Sequence, residues 1–266
     1  MALHHYLCTP NHRNLEYTII PMKLLVCISK APDTTSRIAF TDEDTRFDEG
    51  GVQFIVNPYD EWYALVRAIE LVETEGGSVT TITVGDATCD SIIRKALAIG
   101  ANDAVRINAE PEDSMQVAKL IADYASDKDF DIILCGKETI DHNSAAVPAM
   151  IAESLDLPFV AFATSINADG GTYNLTCEAS GGTNKVTVNG AFVLSAAKGM
   201  SEQRIPNMRG IMSARTKPLQ VVEAYADATT KVEKFSLPPA KGDCKIVDAD
   251  NPAELVRLLR EEAKII

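Results

Sequence analysis

The residues best suited to hold a ligand are the polar loop Lys137 to Asn143, KETIDHN, and the helix start expected after it, Ser144-Ala145-Ala146. This polar loop follows a short apolar run, Asp131-Ile132-Ile133-Leu134-Cys135, that Gly136 closes. After the loop, Val147, Met150, Ile151 and Leu155 recur at helical spacing, so the stretch predicts a strand, a loop and an amphipathic helix. In an open α/β sheet such a loop lies at the carboxyl end of its strand, where ligands bind. Ser144, Ala145 and Ala146 carry no bulk that would keep an anion from helical N–H groups. An N-cap at Asn143 with nothing bound describes the same residues equally well. Pro148 has no N–H to donate and suits a first helical turn, which allows the helix to start later than Ser144.

Other site chemistries are poorly supplied. His4, His5 and His12 cluster near the start, which leaves His142 as the one histidine in the body of the chain and argues against a His-based triad or a multi-His metal site. The six cysteines are scattered, with no pair at metal-ligand or redox spacing, and predict reduced, mostly buried thiols in a cytoplasmic protein. No GxGxxG follows the first strand and no GxxxxGKS/T occurs, so a nucleotide would be held by some other device.

The elements that must position the loop alternate. Lys23 to Ser29 reads as a strand, followed by a turn-rich loop from Lys30 to Thr35. Asn57-Pro58-Tyr59-Asp60 has the form of an N-cap, a proline at the first helical position and an acid in the first turn. Trp62, Leu65, Val66, Ile69 and Val72 line the helix this opens, and Gly76-Gly77 ends it. Ser78 to Val84 is a strand, Ser91 to Ile99 a helix, Ala104 to Ile107 a strand, and Val117 to Tyr124 a helix face. This order predicts a doubly wound, mostly parallel sheet whose loops after Cys27, Val84 and Cys135 converge. Past Leu155, alternation around Tyr173 and Val186 with Asp169-Gly170-Gly171 and Gly181-Gly182 between predicts antiparallel hairpins. Met200 to Ala214, MSEQRIPNMRGIMSA, is either an adaptable docking surface or a helix with core methionines. Residues 217–242 read as irregular, before a last helix that Asn251-Pro252 opens. The organisation expected is a leader over 1–21, an α/β body over 22–216 and a C-terminal arm over 217–266 that packs on another chain.

Composition narrows the class. A chain of 266 residues with 46% hydrophobic and 24% charged content is an ordinary globular protein, and no apolar run is long enough for a membrane span. A net charge of −13 argues against nucleic acid as a partner.

Taken together, VCISKAPDTT, NPYDE, RKALAIGANDAV, GKETID with its following helix, and EQRIPNMRGIMSA resemble the beta subunit of electron transfer flavoproteins, from about Met22 to the C-terminus. The resemblance implies an adenine-nucleotide-binding α/β fold and an electron carrier without substrate chemistry of its own. Its expected partner is an alpha subunit that holds most of a shared FAD. It also implies a structural AMP contacted at Cys27, at Asn57, Pro58, Tyr59 and Asp60, at Val84, and along Thr139, Ile140, Asp141, His142, Asn143, Ser144, Ala145, Ala146, Val147 and Met150. Thr34 falls where the family approaches the flavin. Glu202, Arg204, Met208, Arg209 and Met212 match the loop that docks on acyl-CoA dehydrogenases, with Met208 at the protruding apolar position. Electrons would then pass to a quinone oxidoreductase. Members that bifurcate electrons carry a second FAD in place of AMP; DHNSAAVP follows their loop only loosely, so AMP is expected. A homodimeric universal-stress-like nucleotide sensor and an adenylating enzyme are the rival readings, and each lacks its glycine-rich phosphate motif here.

Overall fold

The computed structural model describes residues 21–266. The leader expected over 1–21 lies outside that range apart from Pro21. The chain opens with β1 (Met22–Cys27), β2 (Lys30–Pro32), β3 (Phe40–Thr41), β4 (Arg46–Phe47) and β5 (Phe54–Val56). Helix α1 (Asp60–Glu75), β6 (Gly77–Val84), a 3₁₀ turn (Ala87–Cys89), α2 (Asp90–Ile99), β7 (Asp103–Asn108), α3 (Ser114–Ala125) and β8 (Ile132–Gly136) follow. Then come α4 (Val147–Ser154), β9 (Phe159–Asp169), β10 (Thr172–Ala179), β11 (Gly182–Asn189), β12 (Phe192–Ala196), α5 (Met208–Ala214), β13 (Leu219–Glu223) and α6 (Pro252–Glu261).

A nine-stranded sheet dominates, in the order β11-β10-β9-β12-β8-β1-β6-β7-β13. From β9 through β13 every neighbouring pair in that order is parallel, while β9, β10 and β11 form an antiparallel meander at one edge. Period-two alternation divides β1 between two cores. Leu24 and Val26 join Trp62, Leu65 and Leu97 on the face covered by α1 and α2. Leu25 and Cys27 join Ile121, Ile133 and Ile151 on the face covered by α3 and α4. Both faces are therefore buried, the condition a parallel sheet needs.

The structure corrects three expectations. Asn57 does not cap α1: the helix starts at Asp60 after Tyr59, which has φ 66°, because the Asn57 side chain is bonded elsewhere. Asn143 does not cap α4 either. That helix starts at Val147 with Pro148 in its first turn, where a missing N–H costs nothing. Within the tail read as irregular, Leu219–Glu223 adds a parallel strand beside β7. Its alternation is weak because an edge strand is covered on few sides. In the loop after β1, Lys30–Pro32 pairs antiparallel with Phe54–Val56, which makes that loop a two-stranded flap.

Candidate functional site

Strands β8, β1 and β6 are adjacent, so the loops that follow them emerge side by side at the carboxyl end of the sheet. The chain runs from β1 outward through β6 and β7, then returns to place β8 on the other side of β1. The β1/β8 boundary is thus a topological switch point, where neighbouring loops diverge and leave a crevice.

Side chains from the Asn57–Glu61 segment brace that crevice. Asn57 is 0% exposed; its Nδ2 donates to the Glu138 carbonyl at 3.0 Å and its Oδ1 accepts from the Ile140 amide at 3.0 Å. It thereby fixes the start of the loop after β8. Glu61, 5% exposed, accepts from the Ser29 amide and the Ser29 hydroxyl, each at 2.8 Å, and so fixes the loop after β1. Gly136 lets α1 approach: a Cβ on it would lie 2.8 Å from the Glu61 amide nitrogen. Burial pushes the Glu61 carboxyl from 4.5 up to about 8, against the lowering pull of Ser29, with the Asp141 and Asp60 charges adding to the rise. Burial also raises Asp60, opposed by the Glu138 backbone and Lys137. Burial thus favours the protonated form of Glu61 beside the two loops it braces.

The loop after β6 is tied in as well. Thr83 Oγ1 donates to the Ile28 carbonyl at 2.8 Å, and Lys30 Nζ reaches Thr88 Oγ1 at 3.2 Å. Buried Arg106 supports this loop from below, with Nε 2.8 Å from Asp90 and Nη1 donating to the Gly85 carbonyl at 3.1 Å. Cys27 and Cys135 stand at the ends of adjoining strands. The Cys135 thiol is held well above its ordinary pKa by its hydrogen bond with Cys27 and then by burial, which makes it a poor nucleophile.

The structure brings Cys27, Asn57, Pro58, Tyr59, Asp60, Val84 and the loop from Thr139 to Ala146 to this one end of the sheet. The Asn143 amide donates to the Thr139 carbonyl at 2.9 Å, closing a turn that carries the exposed His142. Asn143 and Ala145 both have positive φ, 49° and 51°. Past them, the first turn of α4 offers backbone N–H groups with no helical carbonyl to meet, beside the small residues Ser144 to Ala146. That arrangement fits a nucleotide phosphate. Val147 and Met150 instead pack against the core between α4 and the sheet. Thr34 is exposed in a separate turn beyond β2, held by Asp33, which accepts from the Thr35 amide at 2.9 Å.

The other candidate residues lie elsewhere. After β12 the chain runs along α1 to α5, at the amino end of the strands. There Met208 is 74% and Ile205 82% exposed, with Met212, Ile211 and Arg209 exposed beside them, while Met200 is buried. Arg204 makes a two-pronged pair with Glu73, both contacts 2.9 Å, and Glu202 is exposed. Asn207 caps α5 by accepting from the Gly210 amide at 2.8 Å.

Sequence reasoning missed Glu61 and Arg106 as site supports. An acid in a first turn reads as a helix-dipole partner, and only its burial shows the second role. Arg106, a charge inside the apolar run Ala104-Val105-Arg106-Ile107, was a legible signal.

The chain is also similar in sequence to known proteins. A family model described as the electron transfer flavoprotein domain matches residues 44–227. The chain is 35% identical over 261 residues to the electron transfer flavoprotein subunit beta of Bacillus subtilis, covering 92% of this chain and 100% of that protein. It is 35% identical over 223 residues to the subunit of that name in Syntrophomonas wolfei, 83% and 87% covered. To the human subunit beta it is 26% identical over 253 residues, 92% and 99% covered.

Proposed function

The chain belongs to the electron transfer flavoprotein family, as a beta subunit, and on that premise we propose that it pairs with an alpha subunit to hold one FAD, binds AMP in the β1/β8 crevice, and presents α5 to electron-donating dehydrogenases. Like its family, it is an electron carrier subunit rather than an enzyme. One observation supports the division of labour best. The polar crevice opens at the carboxyl ends of the strands, while α5 adjoins the C-terminal end of α2 and the start of β13, at the amino ends. Cofactor binding and donor docking therefore do not compete for surface.

In this reading the AMP is structural. Asn57 to Asp60 and the loop from Thr139 to Ala146 would hold it, with the phosphate toward the first turn of α4. When bound, the FAD supplies the redox chemistry. The residues of this chain orient and shield: Asn57 and Glu61 hold the crevice loops, and Thr34, in the turn beyond β2, would approach the flavin. The exposed apolar residues of α5 suit an acyl-CoA dehydrogenase, and electrons would leave to a quinone oxidoreductase. The buried, unpaired thiols Cys27, Cys89, Cys135 and Cys177 support a reducing compartment such as the cytoplasm.

The test is the nucleotide content of the purified heterodimer after denaturation. One FAD and one AMP per heterodimer is the expected result. Two FAD and no AMP would identify a bifurcating protein and overturn the AMP assignment. Failure to form a heterodimer in size-exclusion chromatography, with a homodimer instead, would favour a nucleotide sensor.

A further inference from the structure

Helix α5 has seven residues, and only Ala214 among them is buried. A helix this short does not persist alone, and its exposed apolar side chains give it little packing to lean on. It nevertheless holds one position, and the contacts responsible come from α2. Gly210 lies so close to α2 that a Cβ there would overlap the Ala98 carbonyl oxygen. Arg94, on α2, donates through Nη1 to the carbonyls of Ala214 at 2.8 Å and Lys217 at 2.7 Å, at the end of α5. Lys217, just past α5, donates through Nζ to the carbonyl of Leu97 at 2.9 Å and to that of Ala101, at the end of α2.

Arg94 thus satisfies the last carbonyl of α5, and Lys217 a last-turn carbonyl of α2, groups a helix cannot satisfy by itself. A cation is the donor such termini favour. Two crossed caps fix two points of α5 against α2, so they set its rotation as well as its distance. Burial lowers the Lys217 pKa, so part of what these bonds return goes to desolvating the ammonium.

We propose that Arg94 and Lys217 are positioning residues, a reciprocal lock between α2 and α5 that sets how the apolar face of α5 meets an electron donor. The proposal rests on the docking reading of α5 given above. Neither residue touches the donor: Arg94 is on the far helix, and Lys217 points back into it.

Heterodimers carrying Arg94→Gln, Lys217→Met or the conservative Lys217→Arg test the lock in two steps. Amide hydrogen exchange over residues 208–214 is expected to quicken about tenfold in Arg94→Gln and Lys217→Met, with exchange in α3 unchanged. Unaltered exchange in α5 would overturn the lock. Steady-state reduction by an acyl-CoA dehydrogenase active on the wild-type heterodimer then reads its role. KM for the heterodimer should rise about fivefold with kcat and flavin content unchanged, and Lys217→Arg should restore it. A fall in kcat with flavin loss would mean a merely structural residue. Met208→Ala, run in parallel, separates the two ideas. If it leaves KM unchanged, the docking reading itself fails; if it raises KM while Lys217→Met does not, only the lock fails.

Discussion

The crevice at the carboxyl ends and the knob at the amino ends are built by opposite means. In the crevice, buried polar side chains hold loops that are themselves polar; Asn57 and Glu61 are spent entirely on backbone and hydroxyl partners. At the knob, apolar side chains face water, and the polar groups are spent behind them in capping helix ends. On the proposed function, the site for a retained nucleotide would sit over buried, mutually satisfied groups, and the surface for transient partners would keep its apolar residues exposed and its anchorage hidden.

If that contrast is sound, changes in the crevice cost stability and changes at the knob do not. Asn57→Ala should have the largest effect, about 1–3 kcal/mol, because it leaves the Glu138 carbonyl and the Ile140 amide without partners in a partly buried place. Denaturant unfolding of the heterodimer measures it, and a loss under about 0.5 kcal/mol would break the comparison. Glu61 gives the next effect, through pH. Its folded-state pKa is raised from 4.5 to about 8, so between those values the folded chain keeps a proton that the unfolded chain has lost. Its stabilising contribution is complete below 4.5, declines as pH rises, and is gone above about 8. Glu61→Gln cannot titrate, so the unfolding midpoint of wild type relative to this variant should fall from pH 5 to pH 8; a constant difference would show that Glu61 is ionised in the fold.

At the knob the expected stability effects are small. Met208→Ala should change stability by less than about 0.5 kcal/mol and leave flavin content intact while slowing reduction by a dehydrogenase. Wild-type donor kinetics would remove Met208 from the docking surface. Arg204→Gln should also change stability little, because its pair with Glu73 is half exposed and such pairs are worth about 0–1 kcal/mol. A thermal midpoint shift of many degrees would mean that Arg204 anchors the whole segment before α5.

Much of this was legible beforehand. Helices α1, α2 and α3 announced themselves by 3.6-residue periodicity, and the β9–β10–β11 meander by alternation with paired glycines at its turns. The helix starts were less legible. Asn57-Pro58 carries every mark of a cap, yet the loop after β8 claims the Asn57 side chain, and α1 begins three residues later, at Asp60. Strand β13 was hidden because an exposed edge strand needs little apolar patterning.

The sequence alone determined the elements that depend on near neighbours: the helices of the α/β body and the hairpins. It also carried the resemblance through motifs that keep their order along the chain. Tertiary structure decided which polar groups meet. Asn57 and the Glu138 carbonyl are 81 residues apart, and Arg94 and the Lys217 carbonyl 123. Periodicity records which face of an element is buried, but not which distant partner will satisfy a buried donor. That choice follows from the strand order, which places β8 beside β1 and brings α5 against α2.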